Sequence, residues 1–169
     1  MRARRLQSRR GNSLLEFTLI CIPLIFVLIS IVEISRYMWT YHTLAFSVKR
    51  GARFAIVHGK NCADASASCP TTIGALAQVV RNAATGLDPA QLNVILQSGG
   101  NTQNCNPLTD CLGNTAAWPP APDNNVGLPV TISGTYPFRS AMSIFWPGAG
   151  SVKFAKVNVG AKAREEIRF

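Results

Sequence analysis

The sequence predicts an α+β protein: a long N-terminal helix that runs from a membrane into an extracytoplasmic space, packed there by a small antiparallel sheet with disulfide-stapled loops. Three observations predict it. An apolar run, Leu14–Val32, passes into a helical apolar periodicity that continues to His58. Two stretches near the C-terminus alternate apolar and polar residues. Between these regions lie segments rich in Gly, Asn, Ser, Thr and Pro that carry Cys62, Cys69, Cys105 and Cys111.

The apolar run sets the organisation. It is interrupted only by Glu16, Thr18 and Ser30, and as a helix it is about 28 Å long at ~1.5 Å per residue. A bilayer core is about 30 Å thick, so Leu14–Val32 (residues 14–32) is long enough to span. The charge distribution orients it. The 169 residues hold 17 Lys+Arg and 8 Asp+Glu, a net charge of +9. Arg2, Arg4, Arg5, Arg9 and Arg10 all precede Gly11, which leaves 17 − 5 = 12 cations against 8 anions elsewhere. Cations beside a span stay in the cytoplasm, so the remainder is expected outside. The local basic cluster is a topology signal. No stripe of cations interleaved with aromatics continues along the chain, so no nucleic acid partner is expected. A cleaved secretory signal would have a shorter apolar core and a small-x-small site after it, whereas Ile31-Val32-Glu33-Ile34-Ser35-Arg36 follows here. Pro23 cannot donate to Leu19 and should loosen the helix.

Past the span, Ile34, Tyr37, Met38, Tyr41, Leu44, Ala45, Val48, Ala52 and Ala55 recur at spacings of three and four, the mark of one helix face. Gly59 is a helix stop. Ser13 to His58 then makes a helix of about 69 Å, whose outer half needs a surface to lie against. Glu33 and Arg36 are three apart and are expected to pair. Tyr37, Trp39 and Tyr41 stand where an interfacial aromatic belt would lie, or else pack on the domain. Gly51 is costly inside a helix, and a close helix contact would explain it.

In the remainder, a short helix is expected at Ile73–Ala84, capped by Thr71 or Thr72, and a strand at Leu92–Gln97. Residues 98–127 read as a long loop, punctuated by Gly99-Gly100, Trp118-Pro119-Pro120 and Asp123-Asn124-Asn125. Val130, Ile132, Tyr136 and Phe138 mark one strand and Val152, Phe154, Val157 and Val159 another, with a turn at Phe145-Trp146-Pro147-Gly148. Cys21 lies inside the span as a small apolar residue. The four cysteines outside it suggest two disulfides in an oxidising compartment. Of the three pairings open to them, Cys62–Cys69 and Cys105–Cys111 close the shortest loops. No hydrolase, metalloprotease or phosphate-loop motif is present, and Asp64, Asp88, Asp110 and Asp123 fall among turn residues. No enzymatic activity, cofactor or metal is expected.

The segment Arg9-Arg10-Gly11-Asn12-Ser13-Leu14-Leu15-Glu16-Phe17 puts a carboxylate at the edge of the span, where it needs a partner. In one reading Ser13 is the N-cap and Glu16 reaches back to it in a capping box. In the other, the segment resembles the processing site of type IV pilin-like precursors. The resemblance extends to the TadE-like (TadE/TadG) minor pilins, or pseudopilins, of tight-adherence (Flp-type) pili, through Glu16-Phe17, Pro23, Glu33-Ile34-Ser35-Arg36 and Lys49-Arg50-Gly51-Ala52-Arg53-Phe54-Ala55. It covers residues 9–58. Asn12, Leu14 and Leu15 stand where that family more often has small residues.

The resemblance implies a structural pseudopilin of the bacterial inner membrane, single pass, with its C-terminal domain periplasmic or extracellular. A prepilin peptidase would cut between Gly11 and Asn12, and Glu16 and Phe17 would serve assembly with other pilins and the pilus platform. The domains expected are a cleaved leader, 1–11, the long helix, 12–58, and the extracytoplasmic domain, 59–169. The alternative is a membrane-anchored periplasmic binding module that is never processed.

Overall fold

The structure is a computed structural model that describes residues 10–60, 70–141 and 156–168, with the backbone alone at 10–12. The fold is α+β. Helix α1 (Arg10–Val57) precedes α2 (Ile73–Ala83), the strands β1 (Asn93–Ser98) and β2 (Asn101–Cys105), a 3-10 turn at Leu108–Cys111, and the longer strands β3 (Pro129–Arg139) and β4 (Lys156–Glu166). The chain divides into two compact units, Met1–Arg36 and Tyr37–Phe169.

The first unit is helical wherever it is described, and its large apolar side chains are exposed on every side, from Leu14 and Phe17 to Val32 and Ile34. By length and composition this helix can cross a membrane. Its hydroxyls are satisfied locally. Thr18 Oγ1 donates to the carbonyls of Leu14 (3.0 Å) and Leu15 (2.9 Å), Ser30 Oγ to Phe26 (2.8 Å) and Ser35 Oγ to Ile31 (2.9 Å). Such back-bonding leaves few unsatisfied polar atoms in an apolar stretch. Pro23 lies inside the helix. Glu33 and Arg36 pair as expected, Oε1 to Nη1, at 2.8 Å.

In the second unit the expected periodicity becomes a packed face. Leu44, Val48, Ala52 and Ala55 of α1 are fully buried. They meet Leu76 and Val80 of α2 and the inward residues Val94, Leu96, Val130, Ile132 and Val159 of the sheet in one core. The sheet is antiparallel throughout, in the order β2-β1-β3-β4. Leu96 faces Ile132, which faces Ala163, so one row of inward side chains crosses three strands. Small residues set the spacing of the layers. A Cβ on Gly51 would lie 2.6 Å from Val80 Cγ2 and 3.3 Å from Ile132 Cδ1, and one on Gly134 would lie 2.8 Å from Val48 Cγ2. This is the close contact that the presence of Gly51 in a helix called for.

Thr72 caps α2, its hydroxyl accepting from the Ala75 amide at 3.1 Å. The long loop expected at 98–127 is a correction. Its first part is β2, which pairs with β1 from Ser98↔Asn101 to Val94↔Cys105, and the 3-10 turn follows. Gly99 and Gly100 are therefore a two-residue hairpin turn, in which Gly99 has φ of +55° and a side chain would run into the Asp123 carboxylate. Asp123 ties the turn down, Oδ2 accepting from Asn101 Nδ2 at 2.8 Å and its carbonyl accepting from Ser98 Oγ at 3.0 Å.

The disulfide Cys105–Cys111 joins the end of β2 to the end of the 3-10 turn, with Cα atoms 5.5 Å apart. The expected Cys62–Cys69 pair and the strand residues Val152 and Phe154 lie outside the described residues. Closing a loop as short as 105–111 restricts the unfolded chain by about 2 kcal/mol. The Cys105→Ser/Cys111→Ser variant should lose about that much stability, read as a lower urea midpoint. An unchanged midpoint would show that the bond does not constrain the fold.

Candidate functional site

The candidate site is the head of α1. The described part of the helix begins at Arg10, so Gly11 and Asn12 are helical in the intact chain. Ser13 is inside the helix, with three helical residues described before it, and so is not its N-cap. Assigned helix ends shift by one or two residues at most, and a capping box needs Ser13 in non-helical backbone. The capping-box expectation is therefore not met in the intact chain.

Glu16 is exposed, and among the described residues its carboxylate has neither an ion pair nor a hydrogen bond. It is surrounded by exposed apolar side chains, with Phe17 at 66% exposure and Leu14 and Leu15 similar. In water such a carboxylate is at ease. In hydrocarbon it requires a counter-charge. Cutting after Gly11 would supply one, because Asn12 would become an α-ammonium one helical turn, about 6 Å of rise, from Glu16.

The other expected positions are distributed along α1. Glu33 uses one oxygen for Arg36, and its Oε2 is buried with no partner among the described residues. Tyr37 packs edge-on against Phe138, ring centroids 5.5 Å apart, whereas Trp39 stands 67% exposed. The packing reading thus holds for Tyr37. His58 Nδ1 donates to the Phe54 carbonyl at 2.8 Å while its ring lies over Phe54. His42 is exposed. No group of three His, Cys, Asp or Glu side chains converges among the described residues.

The sequence reading missed the pairing of Arg139 with Lys156 at the end of the β3–β4 ladder that residues 140–155 join. Only the register brings the two cations together, and no local pattern encodes it.

No curated protein and no solved structure matches the chain. A family model does. It is described as TadE-like protein and matches residues 11–53. That stretch holds Gly11, Glu16, Phe17, Pro23, the Glu33–Arg36 pair and the buried Gly51. Over residues 11–53, about a quarter of its length, this chain is similar to the TadE-like family.

Proposed function

We propose that this chain is a structural minor pilin of a tight-adherence, type IV-like pilus. It is made with a basic leader, cut between Gly11 and Asn12 by a prepilin peptidase, and held by one pass in the bacterial inner membrane with its C-terminal domain periplasmic. Its role is assembly rather than catalysis, and its partners are other pilins, pseudopilins and the assembly platform. One observation carries this reading: among the described residues Glu16 stands unpartnered on a helix apolar on every side, inside the segment that matches the TadE-like model. An isolated carboxylate there is a liability in a single anchored chain and an asset in an assembly.

The test of processing is the mature N-terminus. Protein purified from the native host should begin at Asn12, and Gly11→Ala should slow or block the cut. An intact leader in cells with an active prepilin peptidase would overturn processing and favour the unprocessed, membrane-anchored domain.

A further inference from the structure

We propose that the free edge of β4, with the groove between it and α1, is a docking site for an extended acidic segment of another protein, which adds to the sheet as a further strand. The site lies wholly within the second unit, Tyr37–Phe169, and depends neither on processing nor on the spanning reading.

β4 is an edge strand. It pairs with β3 along its whole length, from Lys156 to Glu166, and among the described residues no strand pairs with its other side. The opposite edge, β2, is only five residues long, and Asp123 holds its turn while the disulfide holds its end. A long unpaired edge offers a row of backbone donors and acceptors to an added strand. Beside this edge α1 leaves a groove of about 310 Å³. Small side chains line it: Ala45 of α1 and Ala161 and Ala163 of β4, all half-buried, with Tyr41 next to them at 41% exposure. A second cleft, of about 570 Å³, shares Arg164 and Glu165 with the groove and reaches Arg168.

The charges say what kind of strand fits. Lys49, Lys162, Arg164 and Arg168 line the two clefts against Glu165 and Glu166. Among the described residues none of the four cations has an ion-pair partner. Side chains alternate along a strand, so Ala161 and Ala163 pack toward the core while Lys162 and Arg164 stand exposed on the other face. Cations on an edge repel a strand of like charge and attract one that carries carboxylates at the facing positions. The matching segment therefore alternates small apolar side chains, set beside the alanines, with Glu or Asp, set beside Lys162 and Arg164. A second copy of β4 would bring Lys156, Lys162 and Arg164 against Glu165 and Glu166, the same excess of cations, and fits less well.

The probe is a short fluorescein-labelled peptide of alternating Val and Glu, titrated with the full chain in a neutral detergent and followed by anisotropy, with detergent alone subtracted. The Val/Glu peptide should bind, and a Val/Lys peptide should bind at least about tenfold more weakly. Lys162→Glu/Arg164→Glu should invert that preference, a gain that misfolding cannot produce. Arg81→Glu, on α2 and outside the groove, should leave it unchanged. The Val/Glu peptide N-methylated at its amides keeps every charge and loses its strand donors, so it should not bind. No binding of the Val/Glu peptide, a preference that does not invert in the double variant, an equal change in the Arg81 variant, or equal binding of the N-methylated peptide each overturns the proposal. So does a chain that sediments as a dimer which the double variant dissociates, because a second copy then holds the edge.

Discussion

Glu16→Gln should abolish pilus assembly while leaving processing and membrane insertion intact. The substitution keeps the size and most of the hydrogen-bonding geometry of the side chain and removes its charge. If Glu16 did no more than cap its own helix, the cost would be on the order of 1 kcal/mol or less. In the intact chain Ser13 lies inside α1, so the cap that this reading needs is not formed. If Glu16 compensates the Asn12 ammonium of a neighbouring subunit, the Gln variant strands a positive charge in a low-dielectric setting. Removing one partner from such a pair costs about 3–5 kcal/mol. Several subunits share that loss, so assembly fails outright. The measurement is a surface-adherence or pilus assay on the variant strain, beside an immunoblot for the mature form. Normal assembly with normal processing would eliminate the intersubunit role.

The parts of this fold that were legible in the sequence are those with a strong period or a local cap. The buried face of α1 repeats every three or four residues, so Leu44, Val48, Ala52 and Ala55 could be read as a core stripe before any packing was known. Thr72 stands before an apolar periodic segment, and its hydroxyl makes the cap. β2 was not legible. Its sequence, Asn-Thr-Gln-Asn-Cys, has little strand preference, and as an edge strand it buries only Cys105. What makes it a strand is its pairing with β1 and the Asp123 clasp on the turn, both non-local. The second half of β4 was hidden for a related reason. It places Ala161 and Ala163 toward the core and Lys162 and Arg164 outward. Small inward residues under a close helix give almost no hydrophobic alternation. At the site, Glu16 was legible because a carboxylate in an apolar run is conspicuous. The Arg139–Lys156 juxtaposition depends on register, which no single strand declares.

Gly51→Leu should destabilise the second unit by about 3 kcal/mol, at the upper end of overpacking costs. Gly51 is fully enclosed where α1 meets α2 and β3, and a single added Cβ would already lie 2.6 Å from Val80 Cγ2. Gly51→Ala separates two opposed effects. Alanine gains about 1 kcal/mol over glycine in a helix interior. Against this, Val80 is itself fully buried on α2, and its β-branched side chain has one strongly preferred rotamer there, so it cannot swing aside. Ile132 Cδ1, 3.3 Å from the new Cβ, closes the other direction. The clash should win, leaving Gly51→Ala less stable than the parent by about 1 kcal/mol. Val80→Ala alone should also destabilise, because it opens a cavity. Combined, the two changes should cost clearly less than their sum, since the methyl added on α1 fills the space vacated on α2. Urea unfolding of the parent, the two single variants and the double variant, in one detergent, measures the cycle. Additive costs would mean that Gly51 and Val80 are not in contact, and a Gly51→Ala variant more stable than the parent would mean that the helix contact is looser than 2.6 Å implies.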